Sequence, residues 1–358
     1  MIINSLHLEN LRNIKSASIS LGEGVNVFLG VNGSGKSSLL ESAHVLATGK
    51  SFRTSKIDNL KNFDSDYFTI SSNIKRNGLI KTVGFRKDKS SFDIRVNAKN
   101  VNRLSELALN FSLVTFHSNS IFLIEGEPQY RRRYIDWWLF HSENKFYSEW
   151  LRYQKLLKQR NAALRKEISY MHVWEESLAE SGEILNLFRK SAVEILMDEL
   201  ISLINNNNYS SLLSGFSWQY NYGWPKDETL ASSLKRNRQR DIQYGFTSVG
   251  PHRSDLRFLF HGKDAKDMLS RGQQKTLSLL MLMALASIHK KLLNETPAFM
   301  VDDISSELDS AHRYNLIEQI IDFGGQLLLT AIDENDLKIA TSTPISKFVL
   351  QEGEVLVL

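Results

Sequence analysis

A glycine-rich segment near the start of the chain carries the first residues that could do chemistry. It follows the pattern GxxxxGK[ST] and reads Gly30-Val31-Asn32-Gly33-Ser34-Gly35-Lys36-Ser37. In this pattern, backbone N–H groups surround a phosphate at a helix N-terminus, where the aligned peptide dipoles favour an anion. The lysine reaches the β- and γ-phosphates, and the hydroxyl ligates Mg²⁺. We therefore predict an ATP site with Lys36 as a catalytic residue, Ser37 as a metal ligand and Ser38 as a further contact.

The residues on either side predict the elements that hold this loop. Val25, Val27 and Leu29 alternate as in a buried strand, and residues 38–47 continue as a helix. Strand, loop and helix in this order are the setting that the pattern requires. An ordinary glycine and serine turn without a ligand is the alternative, and the flanking elements disfavour it.

A second segment, residues 298–303, could supply the carboxylates that such a site needs. It is an apolar strand that ends in Asp302 and Asp303. We expect Asp302 to contact Mg²⁺ and Asp303 to orient or deprotonate the attacking water as a catalytic residue. The acidic start of a following helix is the alternative. Most of the chain separates Lys36 from Asp302, so a large insertion interrupts the domain, and a small GTPase is excluded.

A third segment, Leu269-Ser270-Arg271-Gly272-Gln273, precedes an apolar run over residues 277–288. That run is short for a membrane span and predicts a buried core helix. The N-terminus of the helix would offer backbone N–H groups and the Ser270 hydroxyl to an anion. Since one protomer already has a phosphate site, this loop is predicted to face the nucleotide of a second copy. A helix start without a ligand is the alternative.

Together these segments resemble the ATPase heads of the SMC-like DNA repair proteins, and most of all the bacterial RecF family of recombination mediators. The residues that carry the resemblance are Asn10-Leu11-Arg12-Asn13, residues 30–37, Ser51-Phe52-Arg53, Tyr130-Arg131-Arg132-Arg133, Leu157-Lys158-Gln159-Arg160-Asn161, Gly250-Pro251-His252-Arg253, Leu269-Ser270-Arg271-Gly272-Gln273 and Ser306-Glu307-Leu308-Asp309. They extend over most of the chain, and several are specific to the family.

The resemblance implies an ABC-type head that binds ATP and Mg²⁺ and forms an ATP-dependent homodimer on DNA. It implies nucleotide contacts from Arg12, Asn13, Ser270, Gly272 and Gln273, with Ser270 on the γ-phosphate of the opposite protomer. Asp309 would lie in the loop across the dimer interface. The family also implies gapped or single-stranded DNA and the mediators RecR and RecO as partners, with support of the SOS response.

The chain departs from the family pattern at three places. Ser118-Asn119-Ser120 stands where a Pro-Glu pair is usual, so no water- or metal-positioning residue is assigned there. The acidic step after Gly-Pro-His-Arg is reduced to Ser254-Asp255, and the segment near Ala331 has no transporter-type histidine. None of the three affects the phosphate loop.

Composition is compatible with an intracellular partner of nucleic acids. The chain has 358 residues and a net charge of +4, with a pI near 9.0. It has no cysteine, which excludes disulfides and thiolate metal sites. The N-terminus lacks a signal-peptide pattern, so we expect a cytoplasmic protein without a membrane span.

The pattern along the chain predicts an α/β fold with a second, mainly helical domain. Strand-like alternation with turns at Asn77-Gly78 and residues 87–91 predicts an antiparallel β layer beside the mixed sheet of the nucleotide core. Helical periodicity begins near Pro128. We therefore predict an ABC-type P-loop ATPase head made of residues 1–125 and 245–358, with an inserted domain over residues 126–244.

Two basic clusters are candidates for contacts with DNA phosphates. They are Arg131, Arg132 and Arg133, and Lys235, Arg236, Arg238 and Arg240. A solvated helix face is the alternative for each. The aromatic alternation over residues 216–222 favours a buried strand face over base stacking. No base-reading motif is present, so we expect recognition of DNA structure.

These patterns favour a slow, Mg²⁺-dependent ATPase that closes as a clamp on DNA and opens after hydrolysis. Within the same class, another SMC-like head is the alternative. From other classes, the ATP-driving subunit of a membrane transporter and a scaffold that holds ATP without hydrolysing it remain open. Binding to membrane subunits in place of DNA would favour the first, and turnover undetectable even with DNA would favour the second.

Overall fold

The computed structural model describes residues 1–101, 103–166, 172–206, 215–303, 310–334, 337 and 344–357. Its residues form two compact units, one of residues 1–120 with 289–358 and one of residues 121–288. The sequence placed the ends of the inserted domain at residues 126 and 244. The second unit starts at residue 121, a few residues before the predicted start, and ends at residue 288, well beyond the predicted end.

The first unit contains an antiparallel sheet and a mixed sheet, as predicted. The antiparallel sheet has the order β2-β1-β4-β5-β6-β7. Its strands are β1 (Ile2–Leu11), β2 (Ile14–Ser20), β4 (Phe68–Arg76), β5 (Leu79–Lys87), β6 (Phe92–Val96) and β7 (Lys99–Val101). The predicted hairpin turns lie at residues 77–78 and 88–91, between β4, β5 and β6.

The mixed sheet of the first unit positions the phosphate loop. Its order is β15-β14-β3-β13-β12-β8, with all pairs parallel except β14 with β15. The strands are β3 (Val25–Leu29), β8 (Leu113–Phe116), β12 (Ala298–Val301), β13 (Leu327–Ala331), β14 (Ile345–Gln351) and β15 (Glu354–Val357). The helices of this unit are α1 (Lys36–Thr48), α2 (Leu104–Ala108) and α9 (Ser310–Asp322).

The second unit is mainly helical and carries a small antiparallel sheet of order β11-β10-β9. Its strands are β9 (Phe216–Asn221), β10 (Asp255–Phe260) and β11 (Lys263–Asp264). Its helices are α3 (Pro128–Ser142), α4 (Phe146–Arg165), α5 (His172–Asn206), α6 (Leu230–Tyr244), α7 (Ala265–Met268) and α8 (Arg271–Leu293), which continues past the unit boundary. Because β10 pairs with β9, residues 245–288 join this unit, and only the part of the chain from residue 289 onward returns to the first unit.

The aromatic alternation lies on β9, as the strand interpretation predicted. Tyr220 is buried, and Phe216 and Trp218 pack against the same core. The apolar run is part of α8, which has 23 residues and is longer than predicted. By length and composition alone, this helix could cross a membrane. However, 67% of its most apolar window is buried inside the protein, as in a core helix.

Candidate functional site

The phosphate loop runs from the end of β3 to the first residue of α1, as predicted. Gly35 precedes the helix in a left-handed conformation with φ 114°. At Gly30, a Cβ atom would lie 2.4 Å from the Leu350 carbonyl oxygen, so only glycine fits. The Gly353 N–H donates to the Ser34 carbonyl at 3.0 Å, which joins the loop to the turn after β14. The loop is thus held in shape by the sheet itself.

Lys36 folds back over this loop. Its ammonium group donates to the Gly30 carbonyl at 2.5 Å and to the Val31 carbonyl at 2.9 Å. Burial lowers the pKa of Lys36, and Asp303 and Asp302 oppose that shift. Among the residues that the structure describes, these two carbonyls are the hydrogen-bond partners of the Lys36 ammonium, which can exchange them for the negatively charged oxygens of a phosphate.

The two carboxylates lie at the end of β12, next to β13, which separates β12 from β3. Thr330 on β13 joins them: its hydroxyl donates to Asp302 Oδ1 at 2.9 Å and accepts from the Asp303 N–H at 2.7 Å. Asp303 has a left-handed backbone with φ 52°. Thr330 was not among the predicted site residues. In the sequence, Thr330 is marked only as the one hydroxyl-bearing residue of the buried strand β13.

The residues at this edge fit a magnesium ion. Burial raises the pKa of Asp302, while hydrogen bonds from Thr330 and Ser37 act in the opposite direction. The Asp302 carboxylate and the Ser37 hydroxyl are therefore adjacent, and both offer the hard oxygen ligands that Mg²⁺ prefers. Across the described ranges, no group of three or more His, Asp or Glu side chains could hold a metal ion without help. That suits an ion that shares its coordination with nucleotide phosphates.

A cleft of about 480 Å³ opens in front of Lys36 and Ser37. It lies within the first unit. Its lining consists of Arg12, Asn13, Asn32, Gly33, Gly35, Lys36, Ser37, Ser38, Arg53, Asn59, Lys61, Asn62, Phe63, Asp64, Asp303 and Thr330. The structure thus brings part of the predicted loop together with Arg12, Asn13 and Asp303. It adds residues that the sequence did not indicate as contacts, namely Arg53, Asn59, Lys61, Asn62, Phe63 and Asp64.

Arg12 and Asn13 hold the loop as well as lining the cleft. Arg12 donates through Nε and Nη2 to the buried Glu41 carboxylate, at 2.6 and 3.0 Å. The Asn13 amide donates to the Gly33 carbonyl at 3.1 Å, and Ser38 donates to Asn13 Oδ1 at 3.5 Å. Glu41 was not predicted, because its role depends on a contact between α1 and the turn that joins β1 to β2.

Residues 118–123 form a short 3₁₀ helix after β8. The Asn119 amide donates to the Phe52 carbonyl at 3.2 Å. The Phe52 ring lies between His44 and His117, with centroid distances of 5.4 and 4.8 Å. Burial lowers the pKa of His44 to about 3 and of His117 to about 4. Phe52 is therefore held by Asn119 of this segment and by two neutral imidazole rings outside it.

The loop around Ser270 begins α8 with reciprocal capping. The Gln273 side chain accepts from the Ser270 N–H at 2.9 Å, and the Ser270 hydroxyl accepts from the Gln273 N–H at 3.3 Å. Gly272 is exposed, and a Cβ atom at this position would lie 4.0 Å from the Ser270 hydroxyl oxygen. Ser270, Gly272 and Gln273 belong to the second unit, and Asp309 lies outside the described residues.

The predicted DNA contacts divide into buried and exposed residues. Arg131 is buried and forms an ion pair with Asp255 at 2.7 Å, so it does not offer a phosphate contact. Arg132 is half-buried and donates to the Ser254 carbonyl at 2.7 Å. Arg238 pairs with Glu175, and Arg236 pairs with Glu228. The exposed residues with no such ion pair in the described structure are Arg133, Lys235 and Arg240.

Comparison with known proteins adds to this geometry. Residues 2–354 match the model of the RecF/RecN/SMC N terminal domain. DNA replication and repair protein RecF of Thioalkalivibrio sulfidiphilus is 36% identical, with 100% of this chain and 99% of that protein covered. The RecF protein of Shewanella piezotolerans is 35% identical, with 100% of both chains covered.

Solved structures agree with these relatives. The structure of the recombination mediator protein RecF-ATP in the RecFOR pathway superposes with a TM-score of 0.89 at 26% identity, covering 100% of this chain and 97% of that one. An SMC head bound to a domain of ScpA superposes with a TM-score of 0.55 at 15% identity, covering 100% and 97%, and supports the fold alone.

Proposed function

The chain belongs to the RecF/RecN/SMC N-terminal family and to its bacterial RecF group, and from that premise we propose an ATP-operated DNA clamp in replication and recombinational repair. The observation that carries the proposal is the convergence of Lys36, Ser37, Asp302 and Asp303 at one edge of the mixed sheet. Because the chain is RecF-like, the transporter and unrelated SMC-like alternatives are set aside.

In this proposal the cleft binds ATP by its phosphates. The N–H groups of the loop and the Lys36 ammonium bind the β- and γ-phosphates, and Ser37 and Asp302 hold Mg²⁺. When bound, Mg²⁺ neutralises charge on the triphosphate. Asp303, fixed by its bond to Thr330, orients the attacking water or accepts its proton. Turnover is slow, because a timer for clamp release needs persistence; a rate above about 100 per second would contradict this.

The dimer forms around the nucleotide. Ser270 and Gly272 of one copy would contact the γ-phosphate held by its partner, with Gln273 keeping Ser270 in place and Asp309 across the interface. ATP drives closure only to the extent that it binds the closed state better than the open one. Loss of the γ-phosphate removes that difference, and the clamp opens.

The closed dimer would bind gapped or single-stranded DNA through backbone phosphates. Arg133, Lys235 and Arg240 are the exposed cations suited to this role. By its relationship to a structure of the RecFOR pathway, the chain is proposed to recruit RecO and RecR and so to support the SOS response in the cytoplasm.

Sedimentation with labelled gapped duplex DNA, with and without ATP and Mg²⁺, tests the proposal. The wild type should form ATP-dependent dimers that retain DNA. Lys36→Met should lose nucleotide binding, and Ser270→Arg should bind ATP but not dimerise, because its larger side chain blocks the γ-phosphate contact. Lys56→Met, an exposed lysine outside the cleft lining, is the matched control and should behave as wild type.

Two results would reject this function. A monomer that ignores ATP and does not bind DNA at low salt would remove the clamp. Dimerisation of Ser270→Arg at the wild-type ATP concentration would remove the two-loop arrangement while leaving the ATP site intact.

A further inference from the structure

One lining residue of the cleft stands out by its chemistry. Phe63 is fully exposed to solvent although it is a large aromatic side chain. Single exposed apolar residues are normal on protein surfaces. Phe63 differs because it borders a ligand cleft whose other described lining residues are polar, charged or glycine.

The backbone on which Phe63 stands is fixed. The Arg12 N–H donates to the Leu60 carbonyl at 2.7 Å, and the Asn62 N–H donates to the Asn10 carbonyl at 2.8 Å. The Asn62 side chain also donates to the Arg12 carbonyl at 2.5 Å. The segment is therefore bound to the turn between β1 and β2, the same turn that braces the phosphate loop through Asn13.

The phosphate end of the cleft is fixed by Lys36, Ser37 and Asp303. A nucleotide whose phosphates occupy that end must place its base against other parts of the lining. Those parts include Asn59, Lys61 and Phe63, and only Phe63 among them offers a π face. Every base can stack on such a face, and that contact is favourable.

We propose that Phe63 is the stacking platform for the base of the bound nucleotide, an inference that rests on the proposed ATP site. An aromatic ring on a fixed loop loses little conformational freedom on binding, and it recovers apolar area that is otherwise exposed to water. Stacking is tolerant of base identity, so ATP and GTP bind with similar affinity, and the smaller ring of UTP binds more weakly. Inorganic tripolyphosphate, which has no base, gains nothing from Phe63.

Equilibrium binding of ATP, UTP and tripolyphosphate, each with Mg²⁺, tests this at protein concentrations where sedimentation shows a monomer. Phe63→Ala should weaken ATP binding about tenfold and leave tripolyphosphate binding unchanged. Phe63→Trp and Phe63→Tyr should retain wild-type affinity for ATP. Leu79→Ala removes another exposed apolar side chain outside the cleft lining and should change none of these affinities.

The outcomes separate this inference from the function beneath it. If Phe63→Ala binds ATP as tightly as the wild type, the stacking role is overturned and the ATP site remains. If that variant also fails to dimerise, Phe63 belongs to the interface between copies. An equal loss for ATP and tripolyphosphate also overturns it, since Phe63 would then support the loop. A wild type that binds neither ATP nor tripolyphosphate removes the ATP site and the inference together.

Discussion

The phosphate cleft and the second unit, which is mainly helical and is called the helical unit below, use their cations in opposite ways. In the cleft, Lys36 is held by two loop carbonyls and stands beside Asp302 and Asp303 without an ion pair of its own in the described structure. In the helical unit, Arg160 is completely buried and binds Glu175 and Asp241, at 2.9 and 2.7 Å. One cation is available to a ligand, and the other is consumed by the fold.

The difference follows from the two side chains. Arginine stays charged when buried, and its planar fork satisfies several acceptors at once. Arg189 pairs with Asp136. Burial lowers the pKa of the Arg189 guanidinium, but the charge of Asp136 outweighs burial and raises that pKa. Arg131 forms a similar ion pair with Asp255. Lysine presents a compact ammonium that changes partners readily. An arginine within a basic run of this chain can therefore belong to the internal structure, as Arg131 does.

Breaking the buried network should have the largest effect. Arg160→Met leaves the carboxylates of Glu175 and Asp241 buried without their main partner, and should lower the free energy of unfolding by about 3–5 kcal/mol. All six tryptophans of the chain, at positions 137, 138, 150, 174, 218 and 224, lie in the helical unit. Tryptophan fluorescence during urea unfolding therefore follows this unit alone.

Arg152 on the same helix provides the control. It is exposed and pairs with Glu180 and Glu149 at the surface. Arg152→Met should lower the free energy of unfolding by less than about 1 kcal/mol. Equal effects for the two variants would show that the buried network is not what stabilises this unit.

Acid should weaken the same unit through His252. Its ring accepts from the Tyr153 hydroxyl at 2.7 Å and donates to the Thr247 carbonyl at 3.0 Å, an arrangement of the neutral form. Burial, aided by nearby arginines, lowers the pKa of His252 to about 4, whereas the unfolded value is near 6.5. The stability from the neutral ring is therefore complete above about pH 6.5 and is lost as pH falls towards 4, by about 2 kcal/mol at pH 5.

The measurement is the tryptophan-detected unfolding free energy at pH 7.5 and pH 5. His252→Gln removes the titrating group, so the difference between the two pH values should shrink by about 2 kcal/mol. His261→Gln, a change at an exposed histidine of the same unit, should leave that difference as in the wild type. An unchanged difference in His252→Gln would assign the acid sensitivity to other groups.

The contrast between the regions also explains what the sequence could predict. The phosphate loop is local: its strand, glycines, lysine and helix are contiguous, so its pattern predicts its geometry. Asp302 and Asp303 follow from a short apolar strand in the same way. Thr330, Glu41 and Phe63 depend on which strands and turns become neighbours, and no local pattern carries that information.

The inserted unit was harder to predict for the same reason. Its start, at residue 121, lies within a few residues of the change to helical periodicity at Pro128, which is a local signal. Its end depends on β10 pairing with β9, and Arg131 is buried because Asp255, far along the chain, lies on that strand. Because Arg131 and Arg133 are close in the sequence, the predicted DNA-binding cluster combined a buried structural arginine with an exposed one.

The smallest effect should come from the exposed cations. Lys235 and Arg240 stand on α6 without an ion pair in the described ranges, so each can displace counterions from a DNA phosphate. Replacing both by alanine should reduce the slope of log affinity for gapped DNA against log salt by about 0.9 per residue. Arg236→Ala on the same helix should reduce it less, because Glu228 already neutralises that guanidinium. The measurement is the affinity for gapped DNA over a salt series, with ATP and Mg²⁺ present. An unchanged slope in the double variant would contradict the prediction, and so would a larger reduction of the slope in Arg236→Ala. Either result would mean that exposed cations without an ion pair are not the DNA contacts of this unit.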